Sequence, residues 1–150
     1  AEGQVSSFST YAASVLPQGK ARTSADGTWW DWIDFSTGQR LDTSGGVNAD
    51  IKFQAWWDQF GVTGISPGLQ AQAGAGIVDM GKIPLLQVTI VPEGGYSAAL
   101  LAKGGHCYAV RTKEGKYAKF KITYMAFGDT SYPVYFELDW VFQPDGSRSF

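Results

Sequence analysis

The chain has 150 residues, of which 44% are apolar, 15% aromatic and 17% charged, and its net charge is −2. This length suits one domain with a buried core, and the small acidic charge argues against nucleic acid as a partner. No apolar run is long enough to cross a membrane as a helix. Frequent glycine and aromatic residues favour strands and turns, so we predict a mainly antiparallel all-β fold with little helix.

The first part of the chain differs in composition from the rest. Residues 1–27 are small and polar, rich in Ser, Thr and Ala, and we predict that they form an N-terminal segment before a single β domain over residues 28–150. Ordering a backbone costs about 1–2 kcal/mol per residue, which such a composition repays poorly by itself. We therefore expect the segment to pack on the domain or on a neighbour. The neighbour would be a protein partner or, in self-assembly, another copy of this chain.

Two strand regions open the domain. "TWWDWIDFSTGQRLD" predicts a hairpin with its turn at residues 36–39. "DIKFQAWW" predicts a further strand with Ile51, Phe53 and Ala55 on one face.

The middle of the chain is divided by Gly and Pro. "AGAGIVDMG" and "IPLLQVTIVP" are predicted as short strands. "GYSAALLAKGG" is compatible with one or two helical turns or with extended chain, and the sequence leaves both open.

The last forty residues carry the clearest pattern, a strand over 106–112, a turn at Gly115 and two long alternating segments. We predict that residues 116–124 pair antiparallel with residues 133–142. The inward positions of the first segment are Ala118, Phe120, Ile122 and Tyr124, and those of the second are Val134, Phe136, Leu138, Trp140 and Phe142.

The same alternation predicts the charges on the other face. Lys119 and Lys121 should meet Glu137 and Asp139 there, exposed to solvent. Each such pair is worth about 0.2–1 kcal/mol, enough to favour a register.

These segments, in this order, resemble the HmuY-like envelope proteins of Bacteroidota over about residues 28–144. Members typically open with a "W-x-Y-F-x-F-S-T-G" hairpin and close with "R-T-x-D-G-K-Y-A-K-x-x-I" and an aromatic strand, similar to "RTKEGKYAKFKI" and "YPVYFELDWVF" here. The resemblance implies an all-β fold and a place outside the cytoplasm, at the cell surface, the outer membrane or in the periplasm. It implies membrane attachment only through a lipid anchor, and in the best-known members haem held between axial side chains.

The chain departs from the family at the haem ligands. It contains one histidine, so two histidines from a single chain cannot hold the iron. Met80 and Met125 do not match the positions of family ligands. Haem stays a candidate cofactor, and the identity of the ligand stays open.

His106 and Cys107 are adjacent, and neighbouring strand residues point to opposite faces. They cannot share a metal without a bulge, nor form a nucleophile and base pair. We therefore predict no catalytic residue and no metal site. Two interpretations of His106 remain, an axial ligand and an ordinary strand residue.

The tryptophans are the most unusual feature, because doublets at 29–30 and 56–57 flank Trp32. In each doublet one ring should face outward, and exposed Trp residues often mark binding surfaces; alternatively, loops or the N-terminal segment cover them. The candidate ligand-binding set is His106, Trp30, Trp32 and Trp57. The sequence thus predicts a non-enzymatic envelope protein, a ligand-binding or accessory module, with a structural subunit of a surface assembly as the alternative.

Overall fold

The computed structural model describes residues 15–24, 31–41, 48–57, 65–127 and 134–150. Within these ranges the chain forms two five-stranded sheets, in the orders β1-β10-β9-β8-β6 and β3-β2-β4-β5-β7. All named pairs are antiparallel, which confirms the predicted all-β fold. The strands are β1 (Gln18–Ser24), β2 (Asp31–Asp34), β3 (Gln39–Leu41), β4 (Ile51–Trp57), β5 (Ile65–Ala71), β6 (Gly76–Gly81), β7 (Ala99–Leu101), β8 (Cys107–Arg111), β9 (Tyr117–Phe127) and β10 (Val134–Gln143).

The main core lies between the two sheets and is built around phenylalanine rings. Phe120 of the first sheet stacks on Phe35 at a centroid distance of 5.6 Å and meets Phe53 of the second sheet edge-on at 5.7 Å. Phe53 also meets Phe136 edge-on at 5.3 Å. Such ring pairs add about 0.5–1.5 kcal/mol each beyond the burial of their area, so they fix how the sheets face each other.

The first strand, β1, lies within the N-terminal segment whose composition differs from the rest of the chain. Strand β1 lies at the edge of the first sheet and pairs with β10, from Gln18 opposite Val141 to Ser24 opposite Tyr135. Residues 18–24 of the predicted N-terminal segment therefore pack on the domain, and the boundary after residue 27 stays a prediction. Residues 1–14 and 25–27 lie outside the described ranges.

The predicted first hairpin is present as β2 and β3. Its turn needs Gly38, which has a φ of 68° and donates its N–H to Asp34 O at 2.8 Å. A β-carbon at this glycine would overlap the Trp140 ring, which lies directly against it.

The predicted pairing of the last two long strands is confirmed, with one correction. Phe120 lies opposite Trp140 and Ile122 opposite Leu138, but the next pair joins Tyr124 to Glu137. One extra residue in β9 makes a bulge, and a bulge reverses the alternation after it. The prediction that Tyr124 faces inward was therefore wrong: its side chain is exposed.

The predicted meeting of charges is confirmed in the register for Lys121, which lies opposite Asp139, but it was wrong for Lys119, which lies opposite Val141. Lys119 is only 4% exposed, and its Nζ donates to Leu85 O at 3.0 Å and to Val88 O at 2.7 Å. The carboxylates of Glu137 and Asp139 pair instead with cations of β1. Lys119 is buried because a further layer of chain covers this part of the outer face, where a second, smaller apolar cluster forms.

That covering layer contains the segment "IPLLQVTIVP", which is not the predicted strand. Leu85–Gln87 forms a short 3₁₀ turn after Pro84, and Ile90 makes one isolated bridge to Ser149. Proline has no N–H for a strand ladder, which favours the turn. The segment left open as helix or extended chain contains strand β7.

Candidate functional site

The single histidine lies beside an aspartate at the edge of the first sheet. His106 precedes β8, while Asp79 belongs to the edge strand β6, opposite Tyr108. The imidazole Nδ1 lies 2.9 Å from Asp79 Oδ1 and 3.1 Å from Oδ2. Lys103 Nζ lies 3.8 Å from Asp79 Oδ2, so a cation flanks the same carboxylate.

This geometry leaves one ring nitrogen available. The carboxylate fixes the ring orientation through Nδ1, and within the described ranges Nε2 of His106 has no hydrogen-bond partner. Histidines that bind a metal usually have this support, with the distal nitrogen donating to a carboxylate. Sequence reasoning missed Asp79 and Lys103, because nothing local predicts that β6 lies next to β8.

Cys107 points away from this pair, as the alternation predicted. It is fully buried in the smaller cluster, whereas Tyr108 packs in the main core. Its thiol donates to Ile83 O at 3.0 Å, and burial raises the pKa of the thiol, which disfavours the thiolate needed of a nucleophile. In the described part of the chain, no three His, Cys, Asp or Glu side chains are grouped as a metal site.

The methionines considered as ligands are both packed. Met80 lies against the smaller cluster and Met125 against the main core. After the bulge, it is Met125 rather than Tyr124 that approaches the core.

The structure gives the tryptophans surroundings different from those of His106. Trp32 belongs to the second sheet, and Lys52 Nζ lies 5.1 Å from the centre of its ring. Trp56 covers Gly68, where a β-carbon would lie 2.5 Å from the indole. Trp30 lies outside the described residues, and Trp57 ends β4 with a side chain that is not described. The role assigned to these tryptophans stays a prediction.

A shallow apolar depression adjoins the His106–Asp79 pair. Its volume is about 210 Å³, and it is lined by Asp79, Ala99, Leu100, Leu101 and Lys103. An apolar wall with two charged groups at its rim suits an amphipathic ligand. No helix in the described ranges has both the length and the apolarity to cross a membrane.

Comparison with known proteins finds likeness in structure alone. No protein-family model and no curated protein matches the sequence. A candidate HmuY-like haem-binding protein of Bacteroides vulgatus is 13% identical, with a TM-score of 0.53 over 83% of this chain and 91% of that one. The apo HmuY analogue of Tannerella forsythia is 14% identical, with a TM-score of 0.51 over 87% and 99% of the two chains.

A third similar structure is a candidate lipoprotein of Bacteroides fragilis. It is 11% identical, with a TM-score of 0.50, and the match covers 85% of this chain and 90% of that one. At these identities the likeness establishes architecture, and it confirms the fold predicted from the two sequence hairpins. The chain therefore has the fold of the HmuY-like proteins.

Proposed function

We propose that the protein is a non-enzymatic binding protein of the cell envelope, outside the cytoplasm, and that haem is the first candidate for its ligand. The observation that carries this proposal is the shared fold, because the similar structures include a candidate haem-binding protein and a candidate lipoprotein. Membrane attachment, in this proposal, is through a lipid anchor.

Among the residues present, His106 would hold the iron of a bound haem. His106 is the single histidine of the chain, its Nδ1 is held by Asp79, and its side chain is 22% exposed. Haem iron bound by one histidine is common, and a carboxylate behind the imidazole fixes the orientation of the ring. The chain's own contribution is thus an imidazole ring oriented by Asp79, a residue that also lines the apolar depression formed with Leu100 and Leu101. When bound, haem would supply the iron and its optical signature.

The proposal is tested by titrating the protein with hemin and following the Soret band. We expect a spectrum without bis-histidine features, lost or strongly weakened in His106→Ala and shifted in Asp79→Asn. Leu86→Ala, at a side chain that is 84% exposed in another part of the fold, is the matched control and should bind as the wild type does.

Two results would contradict it. A Soret change in His106→Ala equal to that of the wild type would remove His106 from the site. No Soret change at any hemin concentration would exclude haem as the ligand of this protein.

A second candidate function is that of a structural subunit in a surface assembly. It is favoured by the position of β1, which comes from the segment predicted to interact and lies at a sheet edge. A free strand edge can accept a strand from a neighbour. Light scattering tests this candidate: the full chain should assemble and a variant lacking residues 1–14 should not, whereas an unchanged monomer in both excludes it.

A further inference from the structure

The bulge in β9 presents a pair of tyrosines on the outer face of the first sheet. Tyr124 is 52% exposed and meets Tyr135 of β10 edge-on, with 6.0 Å between the ring centres. Without the extra residue at Thr123, Tyr124 would face the core, as the simple alternation predicted. A bulge sacrifices ladder pairing, and bulges are common where a side chain is re-aimed at a binding site.

Polar contacts hold the Tyr135 ring in place, and Tyr124 packs against that ring. Tyr135 Oη donates to Glu137 Oε1 at 3.0 Å, and Arg22 Nε and Nη2 donate to the same oxygen at 3.0 and 2.9 Å. The Arg22 guanidinium also lies 5.8 Å from the centre of the Tyr135 ring. A surface held in this way loses little side-chain freedom when a ligand binds. We call Arg22, Thr123, Tyr124, Tyr135 and Glu137 the tyrosine patch.

A depression of about 540 Å³ adjoins the tyrosine patch. It is lined by Lys20, Ala21, Arg22, Thr123, Glu137, Leu138 and Asp139. Its size is within the range of about 300–1,000 Å³ typical of small-ligand sites. The depression and the two rings therefore form one continuous surface across β1, β10 and β9.

The charge of this surface favours an uncharged ligand. Among the residues that line the depression, Arg22 pairs with Glu137 and Lys20 Nζ lies 2.8 Å from Asp139 Oδ1, so two cations balance two carboxylates there. Glu137 makes all its side-chain contacts through Oε1, and within the described residues Oε2 receives no hydrogen bond. A free carboxylate oxygen accepts strongly from a hydroxyl group, and tyrosine rings offer flat apolar faces with polar tips.

We propose that the tyrosine patch binds a neutral oligosaccharide. The C–H face of a sugar ring packs on Tyr124, while its hydroxyl groups bond to Glu137 and to the neighbouring charged groups. Neither a polyanion nor a polycation is favoured, because the paired charges cancel. This site is separate from the His106–Asp79 pair, which belongs to the opposite edge of the same sheet. Its test does not depend on haem.

The test is calorimetric titration of the full chain with maltohexaose, mannohexaose and cellohexaose, with oligogalacturonate as the anionic comparison. We expect at least one neutral probe to bind. Its affinity should not depend on salt concentration and should fall about tenfold in Tyr124→Ala. Tyr124→Phe should bind within a few-fold of wild type, because it keeps the ring face. Leu86→Ala should not change binding, and since Tyr124 is exposed, the melting temperature of each variant should stay near that of the wild type.

The outcomes that overturn the proposal are specific. One is the absence of heat from every neutral probe at millimolar concentration. A second is equal affinity in Tyr124→Ala and wild type. A third is binding of the anionic probe alone, lost on adding salt, which would identify the surface as an anion site.

Discussion

Asp50 Oδ2 accepts a hydrogen bond from the Phe35 amide at 2.9 Å, although the aspartate is only 2% exposed. Burial is the main cause that raises the pKa of Asp50 from its ordinary 3.8 to about 7, and the bond from Phe35 opposes the shift. Between those two pKa values the folded protein holds a proton that the unfolded chain has released. The free energy of unfolding should therefore fall as the pH rises from about 4 to 7 and then level off.

The size of this effect is on the order of a few kcal/mol. Urea unfolding at a series of pH values measures it, and Asp50→Asn, which keeps an acceptor for Phe35, should remove most of the slope. An equally steep slope in Asp50→Asn would assign the pH dependence to other groups.

We expect the Lys119 ammonium to stabilise the fold, because it donates hydrogen bonds to Leu85 O and Val88 O in the covering layer. Burial lowers the pKa of its ammonium. Lys119→Met leaves both carbonyls without this donor, and we expect it to destabilise the fold by about 1–3 kcal/mol.

The measurement is urea unfolding, with hydrogen exchange over residues 83–91 to locate the loss. Lys121→Met is the matched control on the same strand face, with an expected change within about 0.5 kcal/mol. If the two variants lose the same stability, the two carbonyl bonds do not explain the burial of Lys119.

Gly38 is expected to be irreplaceable in its turn for two reasons, its φ of 68° and its contact with Trp140. Gly38→Ala combines backbone strain with overlap, and we expect a loss of about 2–4 kcal/mol. Gly115 has a φ of 79° and open space where a β-carbon would lie, so Gly115→Ala isolates the backbone cost at about 1 kcal/mol. Thermal unfolding of both variants compares them, and equal losses would mean that Trp140 moves aside without cost.

Thr23 of β1 offers a stabilising change. Its side chain is 1% exposed, and within the described ranges its hydroxyl has no hydrogen-bond partner. Thr23→Val keeps the shape and removes the desolvated hydroxyl, so we expect a gain of about 1–2 kcal/mol. Thr123→Val serves as the contrast, because the Thr123 hydroxyl is exposed and donates to Glu137 O, and it should give no gain. If Thr23→Val destabilises the protein in urea unfolding, the Thr23 hydroxyl forms a hydrogen bond in solution.

The sequence predicted those features that repeat along a strand. Phe120, Ile122, Phe136 and Leu138 face the core because apolar residues recur at every second position and a glycine turn precedes them. The bulge at Thr123 escaped prediction because one inserted residue leaves the composition on both sides unchanged. Similarly, a lysine in an alternating strand usually faces solvent. Lys119 is buried only because another layer of the chain folds over it.

The candidate site was less predictable than the fold. His106 stood out as the single histidine, but its partner Asp79 lies 27 positions earlier in the chain. Their proximity depends on which strands are neighbours in the sheet, and local pattern does not encode that order. The tyrosine patch depends on the same kind of information, since Arg22 and Glu137 are 115 positions apart.

The pairing of β1 with β10 also sets an order of events for the new chain. A ribosome or an export channel releases residues 18–24 long before residues 134–143, so the first strand has no partner until the last one has emerged. Local hairpins such as β2–β3 can close early, whereas the first sheet gains its edge at the end, after a loop of over a hundred residues has closed. Until then the edges of β1 and β9 that β10 will occupy are open to other strands. An emerging chain of this topology therefore depends on being kept from association until its final strand is free.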